Sequence, residues 1–593
     1  MSRVKKTRSW SRGLVCLIAS LGLLAAVCTA PAFAGKSAKS DSGSASPPSV
    51  MPVVVLQGSD YDMGYQYYQQ VDQLFGSSVL QAMQVPGGFT ADQLTALKAY
   101  EAYVQQYTPE YIEMFKGMAA AATDAGVSLS YNEVLANFVG TTSYSSVRSA
   151  ASAASTHAPT CSAWAAWGKT TTGGQLITGQ EMDPPWGDFG DANYVAIVAY
   201  PSTGNAYENI AQAGQLASIP VFPGINNKGV ATSGNAGEGW RSIDTAAGAY
   251  RVKAGLIPHI LRFSNTAAAA KNLWLSYHQP NSWNMTISDV KGHAFTVEST
   301  GAFQKVRKPG DFGEGNFIYS RNTYFTAEGG KANLNGMKGK FYPHGGWAIN
   351  PQMSAPADSM SDIQMASVRT NQTMYNMLHE YQGHVNVNFA KMLFRHHGKI
   401  PKDPWNLKNF RKTKAKYYGN PGNLNAGFVT IGRPANGDSG VMYICTGAAG
   451  RVALPYEAGP EDDCYQVAST HTFYALALAA GPDAMVGAAE GAAESDIAHA
   501  YQKLMYKNYG DPGFEGLNTL FSDANSEYFE GLNWVTEAAT ASGNDKLLDT
   551  SKAATAFAQA QAHAQQVYEA LVRPAVTPSD LGLKRYVWHA YGF

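Results

Sequence analysis

The sequence is poor in charged side chains and has no excess of either sign. Lys and Arg number 44, Asp and Glu number 45, and together they make up 15% of the 593 residues, with a formal net charge of −1. A protein that holds a nucleic-acid backbone needs a basic surface to neutralise phosphates, and this composition does not supply one. Nucleic acid is therefore not expected as a partner. Hydrophobic residues make up 45%, which allows a large core and argues against wholesale disorder.

Several common catalytic motifs are also missing. The sequence contains no G-x-S-x-G segment, the turn on which many serine hydrolases carry their nucleophile. It contains neither H-E-x-x-H nor C-x-x-C, the spacings typical of zinc sites. We therefore expect no metal and no other cofactor, and a reaction carried out by ordinary side chains.

Long apolar runs are absent except near the N-terminus. Five basic residues at 3–12 precede an apolar run over 14–27, and Ala32-Phe33-Ala34 has the small residues of a signal-peptide cleavage site. The run is shorter than the ~20 residues that span a bilayer, although a membrane anchor is the alternative. We predict a signal peptide at 1–34, a flexible leader at 35–50, and export to a periplasm or the outside without a stable membrane span.

Cysteine is scarce, and its count is informative in an exported chain. Cys16 and Cys28 lie in the predicted signal peptide, which leaves Cys161, Cys445 and Cys464. Cys445 and Cys464 flank a turn-rich segment and would form a disulfide that closes a loop. An odd count in an oxidising compartment suggests a thiol with another task, here Cys161. The alternatives are that Cys161 is a buried apolar residue or pairs with one of the other two.

The hydrophobic pattern changes along the chain. A helix is predicted at 60–75, and helical spacing resumes after a capping box at Thr90 and Gln93 and continues to Met118. An Ala/Ser-rich linker at 149–159 ends just before Cys161. Longer helices are predicted at 258–277 and 365–384 and through most of 473–572. Short strands are predicted at 51–56, 163–167, 176–180, 194–200, 230–233, 285–289 and 294–298. Helices, then many strands, then helices again are the order that predicts an α+β or layered fold.

Several stretches, taken in order, resemble one protein family. The sequence is similar over about 53–400 to the acyl-coenzyme A:6-aminopenicillanate acyltransferase-like family of cysteine N-terminal-nucleophile (Ntn) hydrolases. The stretches are QGSDYDMGYQ at 57–66, a helical segment at 115–137, TCSAWAAWG at 160–168, GQLITGQEMD at 174–183, PGINNKGVA at 223–231 and NMTISDVKGHAFTVE at 284–298.

The resemblance implies a four-layer αββα sandwich and a self-processing chain. A helical propeptide or α-chain would span 51–160, the catalytic core 161–470, and a mainly helical extension 471–593. The chain would break between Thr160 and Cys161, which makes Cys161 an N-terminal residue. An α-amino group titrates near 7.7–8.0, so it can take the proton from the thiol of the same residue.

The resemblance also supplies candidate partners for Cys161. Asp183 matches the carboxylate that holds the new amino terminus, and Asn235 matches an oxyanion-hole Asn of the related bile-salt hydrolases. Asn284 matches the Asn that opens a later hairpin, and Arg369 matches a structural or catalytic Arg. An Asn after Gly is, alternatively, an ordinary turn residue. The chain departs from the family at Thr160, where Gly is common, at Ser162, where Thr is common, and at Glu181, an added carboxylate near the amine.

The leading hypothesis is an exported, autoproteolytic Ntn hydrolase that cleaves linear amide bonds of a small molecule, or transfers its acyl group, through a Cys161 acyl-enzyme. Its two cleaved chains would stay associated, and a homo-oligomer is compatible with the sequence. One alternative is a phospholipase-B-like or ceramidase-like lipid hydrolase on the same fold. The other, from a different class, is a non-catalytic exported protein that binds glycans or other ligands, suggested by the Tyr and Trp content.

Overall fold

A computed structural model of the chain gives the fold described below. Within its described residues, no helix is both long and apolar enough to cross a membrane. Those residues are 50–139, 161–182, 194–214, 222–236, 256–277, 283–300, 303–311, 313–322, 324–326, 341–342, 348–349, 374–395, 427–447, 451–452, 468–469, 472–507 and 514–571.

Eight strands form the larger of two main sheets. In spatial order they are β1 (Val53–Gly58), β4 (Tyr194–Pro201), β5 (Tyr207–Gln212), β6 (Gly224–Asn226), β7 (Val230–Ala236), β8 (Trp283–Asp289), β9 (Ala294–Thr300) and β10 (Phe303–Arg307). β1 pairs in parallel with β4, and the other neighbours are antiparallel. β1 carries the apolar run VVVL, which is fully buried as expected of a strand covered on both faces.

Six antiparallel strands form the second main sheet. In spatial order they are β11 (Phe317–Ser320), β2 (Ser162–Gly168), β3 (Gly174–Met182), β14 (Phe428–Arg433), β15 (Gly440–Thr446) and β18 (Tyr474–Leu478). The turn that joins β2 to β3 ends at Gly173, and Gly174 begins β3; their φ values of 72° and 76° favour glycine. Two short ladders complete the described strands: β12 (Phe341–Tyr342) with β13 (Ala348–Ile349), and β16 (Arg451–Val452) with β17 (Ala468–Ser469).

The two main sheets contact each other, and helices cover them. β2 and β3 contact β7, while β11 contacts β8 and β9. Helices α6 (Leu256–Phe263) and α7 (Ala267–Ser276) lie against the larger sheet, and α8 (Val387–Arg395) lies against β3 and β14. The main apolar core includes residues of both sheets, such as Met285 and Phe428. The predicted mixed α/β architecture with sheets and helices is confirmed.

The N-terminal helices pack closely on one another. They are α1 (Asp60–Phe75), α2 (Ser78–Gln81), α3 (Ala91–Tyr107), α4 (Glu110–Asp124) and α5 (Tyr131–Val139). The capping box predicted at the start of α3 is present: Thr90 accepts the Gln93 N–H, and Gln93 accepts the Thr90 N–H at 2.8 Å. α1 and α4 cross at Gly64 and Gly117, where a Cβ atom would overlap the backbone of the facing helix.

Three long helices follow β18 in the described residues, and the last of them covers sheet edges. They are α9 (Pro482–Leu504), α10 (Phe514–Thr540) and α11 (Gly543–Leu571). α11 contacts both β1 and β18, which lie at the ends of the two main sheets. At β1, Ser551 donates to the carbonyl of Val53, and Thr555 accepts its N–H at 3.0 Å. These bonds replace the missing neighbour strand.

Helix α1 protects the rest of the β1 edge in the same manner. Gln70 accepts the N–H of Val55 at 2.8 Å and donates to its carbonyl at 2.7 Å. Gln66 does the same for Gln57, at 2.8 and 2.9 Å. An open strand edge invites pairing with another chain, so satisfying these groups internally removes a site for aggregation.

Three predicted helical regions differ from the observed elements. The helix predicted at 258–277 is two helices, because Asn205 and Asn226 donate to the carbonyls of Leu261 and Ser264 and Thr266 then caps α7. The helical region predicted from 473 begins instead with β18, whose alternating buried residues face the core. In the helix predicted at 365–384, residues 374–380 are helical and a turn follows, while 365–373 lie outside the described residues.

Candidate active site around Cys161

Cys161 stands immediately before β2 and is buried, with 2% of its surface exposed. Its Sγ lies 3.7 Å from Sδ of Met182, the last residue of β3. Both residues belong to the main core. Thr160, the other side of the predicted cleavage point, lies outside the described residues.

Tyr194, a neighbour of Cys161, belongs to a cluster of three aromatic rings. Tyr194, Phe222 and Phe428 pack edge to face, with centroids 5.2 to 6.0 Å apart. Burial raises the pKa of Tyr194, and a negative charge on the neighbouring Cys161 raises it further. The phenol therefore stays neutral.

Asn235 and Asn284 are direct partners across β7 and β8 and are fully buried. Asn235 Oδ1 accepts the hydroxyl of Ser320 at 2.7 Å. Asn284 Nδ2 donates to the carbonyl of Arg321 at 2.7 Å. Both amides are thus tied to the end of β11, which pairs with β2, the strand that follows Cys161.

Gln180 and Ser320 were not assigned a role from sequence, yet they lie on either side of the strand that follows Cys161. Ala163 of β2 pairs with Gln180 on one side and Ser320 on the other. Gln180 Oε1 accepts the N–H of Gly234 at 2.8 Å. Both side chains therefore connect the smaller sheet to consecutive residues of β7. A polar residue in a buried strand is the only sequence signal for either.

Glu181 belongs to a second polar group, on the opposite face of β3. It pairs with Ser162, whose hydroxyl donates to Oε2 at 3.3 Å. The same oxygen lies 3.8 Å from Nη1 of Arg321, and both side chains are fully buried. Because successive residues of a strand point to opposite faces, this ion pair lies on the face away from the Cys161 side chain. The carboxylate that was predicted to lie near the new amine is thus held by Arg321.

A third buried group anchors the chain beyond β11. Arg307 bonds Glu314 and lies 3.9 Å from Glu298. Burial raises the pKa of Glu298, and the charge of Arg307 opposes that rise. Glu298 also accepts the N–H groups of Phe325 and Thr326 at 2.7 and 3.0 Å. The segment that carries Arg321 is therefore fixed at both ends.

Four residues singled out from the sequence lie outside the described residues: the candidate site residues Asp183, Arg369 and Thr160, and the candidate disulfide residue Cys464. Cys445 is buried in β15 with Sγ 3.9 Å from the carbonyl of Gly447. Its pairing with Cys464 therefore stays a prediction. Over the described ranges, no group of three or more His, Cys, Asp or Glu side chains is arranged to hold a metal ion.

No family model matches the chain, and no curated protein matches its sequence. Similar solved structures include a Caenorhabditis elegans N-acylethanolamine-hydrolyzing acid amidase ortholog, 11% identical, covering 46% of this chain and 93% of that one, with a TM-score of 0.26. A penicillin V acylase from Agrobacterium tumefaciens is 10% identical, covers 48% of this chain and 83% of its own, and has a TM-score of 0.25. A mutant conjugated bile acid hydrolase from Clostridium perfringens is 13% identical, covers 48% of this chain and 89% of its own, and has a TM-score of 0.27. TM-scores this low carry no weight for function.

Proposed function

We propose that this chain is an exported, autoproteolytic cysteine Ntn hydrolase that cleaves amide bonds of small molecules. The observation that carries the proposal is the position of Cys161. It follows the predicted scissile bond directly and immediately precedes β2. The neighbouring strand β11 and the residue after it are hydrogen-bonded to the Asn235–Asn284 pair. The family resemblance of residues 160–183 supports the same assignment.

In the proposed processing step, Sγ of Cys161 attacks the carbonyl carbon of Thr160. The peptide C–N bond breaks as a thioester forms, and water then hydrolyses the thioester. Residue 160 leaves as a carboxylate, and Cys161 gains a free α-amino group. That group has an ordinary pKa of about 7.7–8.0, so it can accept the thiol proton near neutral pH.

In turnover, the thiolate attacks the substrate carbonyl, and an amide nitrogen takes the proton back from the α-ammonium as the C–N bond breaks. Water releases the acid from the resulting thioester, whereas an acceptor amine would give acyl transfer. Asn235 and Asn284 are assigned to stabilising the negative oxygen, a type of interaction for which loss of one donor typically costs about 2.7–4 kcal/mol. We assign Asp183 to holding the α-amino group and Arg369 to a supporting role.

The proposed fold is the αββα sandwich of Ntn hydrolases. Supporting it, α6 and α7 lie against the larger sheet, the two sheets contact each other, and α8 lies against the smaller sheet. The nucleophile would then sit at the beginning of a central strand, between the two sheets.

The N-terminal segment is proposed to remain bound after cleavage. β1 supplies an edge strand of the larger sheet, so its removal would expose β4. His259 Nδ1 lies 2.6 Å from Oε1 of Glu110, in a contact buried between α6 and α4. These contacts support a two-chain mature enzyme rather than a discarded propeptide.

The acyl group of the substrate is proposed to be apolar. Met182 and Tyr194 neighbour Cys161, and Phe222 and Phe428 pack on the Tyr194 ring in the same apolar core. An apolar acyl chain would bury itself there without leaving polar groups unpaired. This surface also keeps the lipid-hydrolase alternative open, since phospholipids and ceramides carry the same type of acyl chain.

The decisive experiment is N-terminal sequencing of the purified protein after denaturing electrophoresis, followed by assay on N-acyl amides and on ester lipids. We expect two fragments, the larger beginning Cys-Ser-Ala-Trp, and faster cleavage of the amides. Cys161→Ala should stay intact and inactive, whereas Cys445→Ala, a control for loss of a buried cysteine, should still be processed. An uncut wild-type chain without activity would favour the ligand-binding alternative.

A further inference from the structure

We propose that Gln180 and Ser320 act as a pair of positioning residues that set the orientation of the Asn235 amide toward the reacting carbonyl. The inference rests on the proposed function, because it assigns Asn235 to the negative oxygen. Neither residue is placed in contact with the substrate. Their effect reaches the reaction through Asn235.

The two residues share a face of the smaller sheet with the nucleophile. Ala163 is paired with Gln180 in β3 and with Ser320 in β11. Directly paired residues in a sheet point to the same face, and residues two apart along a strand do so as well. The side chains of Gln180 and Ser320 therefore lie on the face that Cys161 occupies, one on each side of the strand that carries it.

From this face both side chains bond to the larger sheet at consecutive positions. The N–H of Gly234 donates to Gln180 Oε1 at 2.8 Å, and Ser320 Oγ donates to Asn235 Oδ1 at 2.7 Å. Gln180 thus fixes the backbone at Gly234, the residue before Asn235, while Ser320 fixes the Asn235 side chain. Both partners are buried, so water does not compete for these bonds.

The Gly234 bond fills a gap left by the short strand β6. Among the described residues, β6 pairs with β7 through Gly224 with Thr232 and Ile225 with Ala231. Gly234 lies beyond the last of these pairs, where its N–H needs another acceptor, and Gln180 provides one. A buried N–H without an acceptor is costly, so the glutamine fixes β7 where the strand ladder ends.

The Ser320 bond determines which end of the Asn235 amide can donate. Thr286 Oγ1 lies 3.1 Å from Thr296 Oγ1 and 3.3 Å from Ser320 Oγ, so the serine hydroxyl sits in a chain of hydroxyl groups. With its proton directed at Oδ1, the amide is held with oxygen toward Ser320 and Nδ2 away from it. Stabilising a negative oxygen requires the Nδ2 end.

The test is a double-mutant cycle on the processed enzyme with an N-acyl amide substrate. Ser320→Ala should lower kcat about 10- to 100-fold, less than the ~10²–10³ for loss of an oxyanion donor, with KM changed less than twofold. Ser320→Thr, which keeps the hydroxyl, should restore most of the loss. In an Asn235→Ala background, Ser320→Ala should have no further effect on kcat. Gln180→Leu should lower kcat in the same way, and Gln180→Glu, which keeps the acceptor, should lower it less.

Ser288→Ala is the matched control, because Ser288 is an equally buried serine of β8 whose hydroxyl bonds no group in the part of the chain that the structure describes. It should leave kcat unchanged. Equal losses of kcat in Ser288→Ala and Ser320→Ala, or additive losses for Ser320 and Asn235, would overturn the inference. A crystal structure of Ser320→Ala tests it without any activity. A rotated Asn235 amide supports the inference and an unmoved one refutes it, even if the wild-type enzyme hydrolyses no amide and the proposed function fails.

Discussion

The side chain of Gln561 in α11 hydrogen-bonds both backbone groups of Ala475 in β18: its Oε1 accepts the N–H at 2.8 Å, and its Nε2 donates to the carbonyl at 3.2 Å. Glutamine here takes the place of a neighbouring strand. Because the same helix also satisfies Val53 of β1, α11 closes one edge of each main sheet. Helix α11 therefore satisfies backbone groups at an edge of both main sheets.

Replacing this glutamine should destabilise the protein and expose the β18 edge. Gln561→Ala leaves two backbone groups of Ala475 without partners, so we expect a loss of about 1–3 kcal/mol in the free energy of unfolding and faster aggregation. Gln559→Ala, on the same helix and partly exposed, should change stability by less than about 0.5 kcal/mol. Urea unfolding and light scattering measure both effects. Equal stability of the two variants would refute the edge-closing role.

Glu208 should make stability fall as pH rises. Its side chain is fully buried, neither carboxylate oxygen has a hydrogen-bond partner among the described residues, and burial raises its pKa well above the ordinary value. Between the ordinary carboxyl pKa of about 4.3 and the raised one, the folded state holds a proton that the unfolded state has lost. The free energy of unfolding should therefore decrease through this window, by up to about 1.4 kcal/mol per pH unit.

Substituting Glu208 tests this assignment. Glu208→Gln keeps the shape and removes the titration, so its unfolding free energy should lose this contribution to the pH slope. Glu494→Gln, at an exposed position of α9, should keep the wild-type slope. Urea unfolding at several pH values above 4.5 gives the comparison. An unchanged slope in Glu208→Gln would show that the carboxyl group ionises freely in the folded state.

Local elements could be predicted from the sequence, and long-range contacts could not. The two strands that follow Cys161 and the Thr90 capping box can be predicted from patterns within a few residues. The break between α6 and α7 depends on Asn205 and Asn226, which lie more than 30 residues away. No local pattern reports such partners.

The same limit applies to the candidate site. Cys161, Asn235 and Asn284 were singled out from cysteine arithmetic and from family resemblance, and the structure pairs the two asparagines across β7 and β8. Gln180 and Ser320 were not, because each acts only through a residue of the opposite sheet. Their role depends on how the two sheets pack face to face, and this packing could not be predicted from local sequence patterns.

The crossing of α1 and α4 should tolerate no side chain at Gly64. A Cβ there would overlap the carbonyl of Met114, so Gly64→Ala must push the helices apart, at a cost of about 1–3 kcal/mol. Gly487→Ala in α9 is the matched control, because nothing lies within 4 Å of its added Cβ. It should raise stability by about 0.5–1 kcal/mol, since alanine favours a helix. Thermal unfolding distinguishes the two. Stabilisation by both substitutions would mean that the helices do not cross this closely.

The pair between Asp60 and Arg262 should hold the N-terminal segment to the core after cleavage. Arg262 is almost fully buried, with Nη1 2.6 Å from Asp60 Oδ1 and Nε 2.8 Å from the carbonyl of Thr203. Asp60→Asn removes the opposing charge from a buried guanidinium, so binding of the segment should weaken by about 1.5–3 kcal/mol. The matched control is Lys116→Ala, which breaks an ion pair whose two side chains are each 50% exposed and should cost at most about 1 kcal/mol. Size-exclusion chromatography of the cleaved protein in increasing urea measures release. If both variants release the N-terminal segment at the same urea concentration as the wild type, then β1 rather than this ion pair retains the segment.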